Sequence, residues 1–164
     1  MTGSATTSRN RLRPIGPFDL AIAAAIHAAC FDDGWSTTSI AELLAMPGAF
    51  GLLAIEGNIA VGLTIVQAAG DDAELLTICV LPDCRRRGIG EELMTDLLAR
   101  LAARGCKRLL LEVAEDNPIA IAFYNDHGFR RIGRRKDYYR RGRSGVDALL
   151  LARHLPNGGA AAIG

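Results

Sequence analysis

A chain of 164 residues, 49% hydrophobic and 23% charged, is long enough to bury one ordinary core and too short for two comfortable domains. The apolar stretch 20–30 contains His27 and falls short of a membrane span, and the polar start MTGSATTSRN has no apolar signal core, so a cytoplasmic protein with no membrane contact is expected. A net charge of +1 speaks against DNA binding, yet the charge is sorted: 130–143 holds eight basic residues against Asp137 alone, and the rest of the chain is net acidic. Four cysteines, Cys30, Cys79, Cys84 and Cys106, show neither CxxC spacing nor partnering histidines, which predicts free thiols, no bound metal and no disulfide scaffold.

Residues 1–10 are expected to form a disordered tail, 11–155 a single folded domain and 156–164 a second loose tail. A short strand is predicted over 11–15. The Ala-rich run 18–30 has good helix propensity, with Asp19 as its N-cap. After the break at Asp32-Asp33-Gly34, a second helix is expected to begin near Ser36 to Ser39, where Ser39-x-x-Glu42 has capping-box form, and to stop before Pro47-Gly48. Strands over 50–55, 59–68 and 73–80 follow, joined by turns at Glu56-Gly57-Asn58 and Gly70-Asp71-Asp72 that are short enough for antiparallel hairpins. Leu93, Leu97, Leu98 and Leu101 give 91–104 one apolar helical face, which Gly105 ends. The Leu-rich run 108–114 is a buried strand, parallel to its predecessor because a helix separates the two. Asn117-Pro118 opens a short helix that His127-Gly128 closes. Strands over 129–134 and 146–154, around a Gly- and Arg-rich loop at 140–145, complete an α/β fold: a mixed, mostly antiparallel sheet with one parallel pair, flanked by helices.

The stretch Arg85-Arg86-Arg87-Gly88-Ile89-Gly90 lies between the third long strand and the helix after it. A glycine turn feeding a helix start aims several amide N–H groups the same way, at the positive end of the helix dipole, and so cradles an anion. A P-loop needs Lys-Ser or Lys-Thr after its glycines, and a dinucleotide fingerprint needs a third glycine where this chain has Leu93, so both nucleotide readings fail. Glu112 is the second chemical signal. In LLLEVAE, Leu109, Leu111 and Val113 take one strand face and leave Glu112 on the other with Leu110 and Ala114. A carboxylate in such a strand pairs with an arginine, sits at the open end of the sheet, or serves as a general base in a cleft. Tyr124 follows on the short helix.

The Arg85-x-x-Gly88-x-Gly90 turn resembles the pyrophosphate-binding motif of the GNAT acyltransferases, whose ligand is acetyl-CoA, and the order of elements matches that fold from end to end. The segments LEVAEDNPIAIAFYNDHGF, ELLTICVLPDCRRRGIG and KDYY with Val146-Asp147-Ala148 are similar to the ribosomal-protein-alanine N-acetyltransferases, the RimI type. The resemblance implies that Ile78, Cys79 and Val80 pair their backbone with the pantetheine arm, and that an N–H near Val80 polarises the thioester carbonyl. It implies that Arg85, Arg86, Arg87, Gly88, Ile89, Gly90 and Glu91 hold the pyrophosphate and that Asn117 touches the cofactor arm. Glu112 becomes the base, and Tyr124 an acid that also touches the cofactor. Glu91 stands where the family often has a basic or neutral residue, and Gly34-Trp35-Ser36 where it tends to have Pro-Trp-Ser.

The implied reaction is direct transfer of acetyl from acetyl-CoA to the N-terminal alanine of a ribosomal protein. Asp32, Asp33, Asp71, Asp72 and Glu74 are candidates to face a basic peptide, with Tyr138 and Tyr139 on the opposite wall. A ribosome contact and a monomer or weak dimer are the expected associations. Three other readings use the same features: acetylation of a lysine, another protein N-terminus or a small amine; RNA or ribosome binding through 130–143; and a GNAT fold that binds acyl-CoA without turnover.

Overall fold

The computed structural model describes residues 11–141 and 144–156, with the backbone alone at position 141. The first expected tail, the second from residue 157 and the middle of the last loop lie outside the described residues. The elements are β1 (Arg11–Pro14), α1 (Leu20–Cys30) after a 3-10 turn (Pro17–Asp19), α2 (Thr37–Ala45), β2 (Ala49–Glu56), β3 (Ile59–Ala69) and β4 (Asp72–Val80). A second 3-10 turn (Pro82–Cys84) leads to α3 (Ile89–Ala103), β5 (Arg108–Ala114), α4 (Pro118–Asp126), β6 (Arg130–Arg141) and β7 (Ser144–His154).

The hydrogen-bonded order of the strands is β1-β2-β3-β4-β5-β7-β6. β4 and β5 run parallel, as the intervening helix requires, and β5–β7 and β6–β7 are antiparallel. Two residues join β2 to β3 and two join β3 to β4, a length that only antiparallel neighbours permit. This is the mixed, helix-flanked sheet that the element order predicts.

Packing divides the chain into two compact units, one up to Ile65 with Thr77–Asp96, the other Val66–Leu76 with Leu97 onward. In the first, Leu52, Ala54, Val61, Ile89 and Leu93 form a buried cluster that Leu12, Ile78, Val80 and Cys84 cover. Burial of each large side chain contributes roughly 1.5–3 kcal/mol. Gly62 sits at a close approach, since a Cβ there would stand 2.9 Å from the Cys79 carbonyl oxygen. In the second, Leu109, Leu111 and Val113 are buried while Leu110 and Glu112 are half-buried, the alternation read from the sequence. Phe129, Leu97 and Leu101 are fully buried in the same unit.

Two local expectations are corrected, and the start of α2 is narrowed to one residue. Asp19 stands at the N-cap of α1 but makes no side-chain cap bond. Its carboxylate instead accepts from Arg13 at 2.7 and 2.9 Å and from the Gly16 N–H at 2.7 Å, which folds Pro17–Asp19 into a turn and delays the helix to Leu20. Within the range expected for the start of α2, Ser36 is the cap, accepting from the Ser39 N–H at 3.1 Å with the Ser39 hydroxyl 3.0 Å from the same oxygen. β6 continues to Arg141 where a loop was expected from 140, because β7 offers it partners at Tyr139↔Val146, Arg140↔Gly145 and Arg141↔Ser144.

The Arg13 pair and the Gly16 amide hold the Asp19 carboxyl down at about 2. A depressed carboxylate adds stability that is complete above its unfolded pKa of about 3.9 and lost as pH falls through the folded value. Asp19→Asn should therefore cost about 1 kcal/mol near pH 7, the screened worth of a partly exposed pair. In urea melts the gap from the parent should close as pH falls from about 4 towards 2; a gap independent of pH would detach the effect from this carboxylate.

Candidate active site

β4 pairs with β5 only at Asp72↔Arg108, Ala73↔Leu109 and Glu74↔Leu110. From Leu75 to Val80, β4 has no β5 partner among the described residues. The Leu81 N–H donates to Val61 O at 2.8 Å and the Thr64 hydroxyl to Thr77 O at 2.9 Å, so the backbones of Thr77, Cys79 and Leu81 face β3. By alternation, Ile78 and Val80 present their N–H and C=O to the opposite edge. An edge of that kind binds an extended, amide-bearing chain through main-chain bonds. Of the three residues expected there, Cys79 turns its backbone to β3, and burial first, then the neighbouring Cys30 thiol, pushes its own thiol far up, away from thiolate chemistry.

The turn after β4 is braced from within. The Val80 carbonyl accepts from Arg85 Nε at 3.0 Å and from the Cys30 thiol at 3.4 Å. Arg87 pairs with Glu56 at 2.7 Å and also reaches the Asp83 carbonyl. Arg86 is exposed and makes no ion pair among the described residues. Arg86 and Gly88 both have positive φ, +64° and +81°, which turns the chain sharply into α3. A Cβ at Gly88 would meet nothing within 4 Å, so the backbone conformation and not space calls for glycine there. The first intrahelical bond runs from Glu92 N–H to Gly88 O, and helix geometry leaves the amides of Ile89, Gly90 and Glu91 with no carbonyl one turn back. Among the three arginines, then, Arg85 and Arg87 hold the turn while Arg86 carries the unengaged charge. Cys84, a free thiol as expected, is half-buried against the Leu52 cluster.

Glu112 is half-buried on β5, opposite Leu150 of β7, and its Oε1 lies 3.3 Å from Arg135 Nε. The arginine partner is one of the alternatives a strand carboxylate allows, and this contact engages one oxygen only. Asn117 caps α4 by accepting from the Ala120 N–H at 3.2 Å. Tyr124, half-buried on α4, lies edge-on to Phe123 and Phe129 with ring centres 5.5 and 5.6 Å away. Asp71 and Asp72 pair with Lys107 and Arg108 at 3.2 and 2.9 Å, so two of the acidic residues expected to meet a peptide already have cationic partners. Tyr138 and Tyr139 pack edge-to-face at 5.1 Å.

His27 carried no role in the sequence. Its buried ring stacks on Trp35 with centres 4.3 Å apart, and Nδ1 accepts from the Trp35 N–H at 3.0 Å. Gly34 seats on α1, where a Cβ would come 2.6 Å from Ala28 Cα. The Gly34-Trp35-Ser36 loop is thus fastened to α1 by a histidine eight residues earlier, a contact no local pattern announces.

The family model described as Acetyltransferase (GNAT) family matches residues 20–129. A [Ribosomal protein bS18]-alanine N-acetyltransferase of Salmonella typhimurium is 40% identical over 88 residues, 54% of this chain and 60% of its own length, so the chain spans less than two thirds of that relative. The N-alpha-acetyltransferase RimI of Mycobacterium tuberculosis is 37% identical over 126 residues, 74% of this chain and 77% of that protein. The crystal structure of the ribosomal-protein-S18-alanine N-acetyltransferase from Escherichia coli superposes with a TM-score of 0.85 at 28% identity, covering 93% of this chain and 98% of that one.

Burial lowers the His27 pKa below its ordinary 6.5, so the fold holds the neutral ring whose Nδ1 can accept. Between the folded and unfolded values the unfolded chain binds more protons, and stability rises with pH across that window. The Tm should drop between about pH 7 and 5, with a parallel change in emission from Trp35, the only tryptophan. His27→Gln should flatten both curves, and an unchanged pH dependence in that variant would assign it elsewhere.

Proposed function

The chain belongs to the acetyltransferase (GNAT) family, and from that premise we propose that it transfers the acetyl group of acetyl-CoA to the N-terminal alanine amine of a ribosomal protein. What carries the reading is the turn from Arg85 to Glu91, with two left-handed residues feeding a 15-residue helix, in a chain whose relatives are named for this reaction.

The residues fit the co-substrate chemically. A diphosphate needs clustered N–H donors and a cation, which the amides of Ile89, Gly90 and Glu91 and the Arg86 side chain offer, on a turn that Arg85, Arg87 and Gly88 shape. A pantetheine arm carries amides that match the β4 edge at Ile78 and at the Val80 N–H, with Cys79 between them as support. Asn117 and Tyr124 complete the contacts in this reading.

Acetyl-CoA supplies an activated thioester, and the remaining chemistry belongs to the chain. A peptide amine has a pKa of about 8, so about a tenth is neutral near pH 7 and a base of modest strength suffices. As the N–C bond forms, Glu112 takes the amine proton, directly or through a water. The Val80 N–H stabilises charge on the carbonyl oxygen. The C–S bond breaks with its electron pair on sulfur, where the Tyr124 hydroxyl donates a hydrogen bond. Full transfer from a phenol of about pKa 10 to a thiol of about 8.5 is uphill by roughly 2 kcal/mol, so the bond itself is the contribution and bulk water completes protonation.

One observation favours an accompanying ribosome contact. Arg134 and Arg135 are ion-paired within β5–β7 and the residue after β5, but Arg130, Arg131, Lys136 and Arg140 are exposed and make no ion pair among the described residues. These four charges suit RNA phosphates and would give a binding constant that falls steeply with salt.

Mass spectrometry of ribosomal-protein peptides with an N-terminal alanine, incubated with the protein and acetyl-CoA, should show one acetyl group on the terminal amine. Glu112→Gln should lower kcat by about 10²-fold or more, and Tyr124→Phe by about tenfold, with acetyl-CoA affinity unchanged in both. Unaltered turnover in both variants would remove these side chains from the mechanism.

A further inference from the structure

We propose that Arg135 is a positioning residue for this reaction: a bulge in β6 holds it so that it fixes one oxygen of the Glu112 carboxylate and leaves the other to take the proton. The inference rests on Glu112 being the base.

The Glu112 side chain keeps 20% of its exposure, and a carboxylate so far desolvated calls for a partner. Arg135 Nε provides one at 3.3 Å, a single N–H on a single oxygen and not the two-pronged fork that would occupy both. The guanidinium carbon stands 5.3 Å from the centre of the Tyr138 ring, a second contact that holds the arginine. Arg135 lies opposite Ala148 of β7, and Ala148 lies opposite Ala114 of β5, so the arginine reaches along one sheet face across β7.

The local backbone explains why it stays there. The register passes from Arg135↔Ala148 to Tyr139↔Val146, four steps on β6 against two on β7, and the surplus forms the bulge. Within it Asp137 has φ +51°, a left-handed conformation that non-glycine residues seldom adopt. Two contacts over-determine that strain. The Asp137 N–H donates to Asp147 Oδ1 at 2.9 Å, and the Asp137 side chain lies on Gly145, where a Cβ would fall 2.2 Å from its Oδ1 and 2.8 Å from its Cβ. Asp147 also takes Arg134 Nε at 3.4 Å, and Arg134 pairs with Glu115. Adjacent arginines therefore go to opposite faces, one to the bulge anchor and the other to the base. Bulges beside active sites re-aim side chains in this way.

The test is a cycle on the full chain with an alanine-starting acceptor peptide, reading kcat, peptide KM, acetyl-CoA Kd and Tm. Arg135→Ala should lower kcat roughly tenfold with acetyl-CoA Kd unchanged, Arg135→Lys should recover most of the loss, and Gly145→Ala should act in the same direction from a distance. In the Glu112→Gln background, Arg135→Ala should cause no further loss. The proposal is overturned if Arg135→Ala costs the same factor in both backgrounds, or if it leaves kcat intact while Glu112→Gln lowers it. Should Arg135→Ala fail to fold, Arg135→Gln and Arg135→Lys run the same cycle. Parent-like turnover in Glu112→Gln would take down the base assignment itself, and this inference with it, a result separable from the other two.

Discussion

A buried backbone group must find a hydrogen-bond partner, and β4 meets that demand unequally along its length. Its first three residues are laddered to β5, while from Leu75 onward β3 is the one strand that pairs with it among the described residues. The strand therefore ends as an edge with Ile78 and Val80 facing outward, directly before a turn whose left-handed residues aim further amides into the start of α3. Donors left over by the fold are grouped in one stretch of chain. Bracing of that stretch is internal: Arg85 and Cys30 hold the Val80 carbonyl, Arg87 holds Glu56, and Gly62 allows β3 to pack against Cys79 without a side chain in between.

The charged residues follow the same economy of placement. Pairs that look like surface decoration set backbone geometry: Arg13–Asp19 shapes the turn into α1, Arg108–Asp72 ties the start of β5 to the start of β4, and Arg134–Asp147 secures the β6 bulge. Each is individually weak because solvent screens it. Their effect is conformational, deciding where a strand ends or a side chain is aimed, and it reaches Glu112 only through Arg135.

Most elements were legible from the sequence because hydrophobic period and turn residues act locally. Leu93, Leu97 and Leu101 mark α3, and the alternation in Arg108–Ala114 marks β5 with Glu112 as its anomaly. What was not legible depends on contacts remote in the chain. Asp19 has the chemistry of a cap, but Arg13 on β1 takes its carboxylate. The extra length of β6 reflects β7 as its partner, since a run of arginines carries no strand signal of its own. Arg135 meets Glu112 only because β7 lies between their strands and a bulge shifts the register, and neither fact is written in either segment alone. The Arg85–Glu91 turn was readable as a motif, yet which of its arginines stays unengaged came only with the positions of Val80 and Glu56.

β6 closes the strand order on one side, twelve residues long, with β7 as its sole neighbour among the described residues. An outermost strand of that length is a template on which another molecule's strand can add, the first step towards fibrous association. Arg130, Arg131, Lys136 and Arg140 set like charges against any second copy, and the bulge interrupts the flat run that such growth requires. A positive rim of this kind works against self-association by charge repulsion, and neutral residues in its place would remove that barrier.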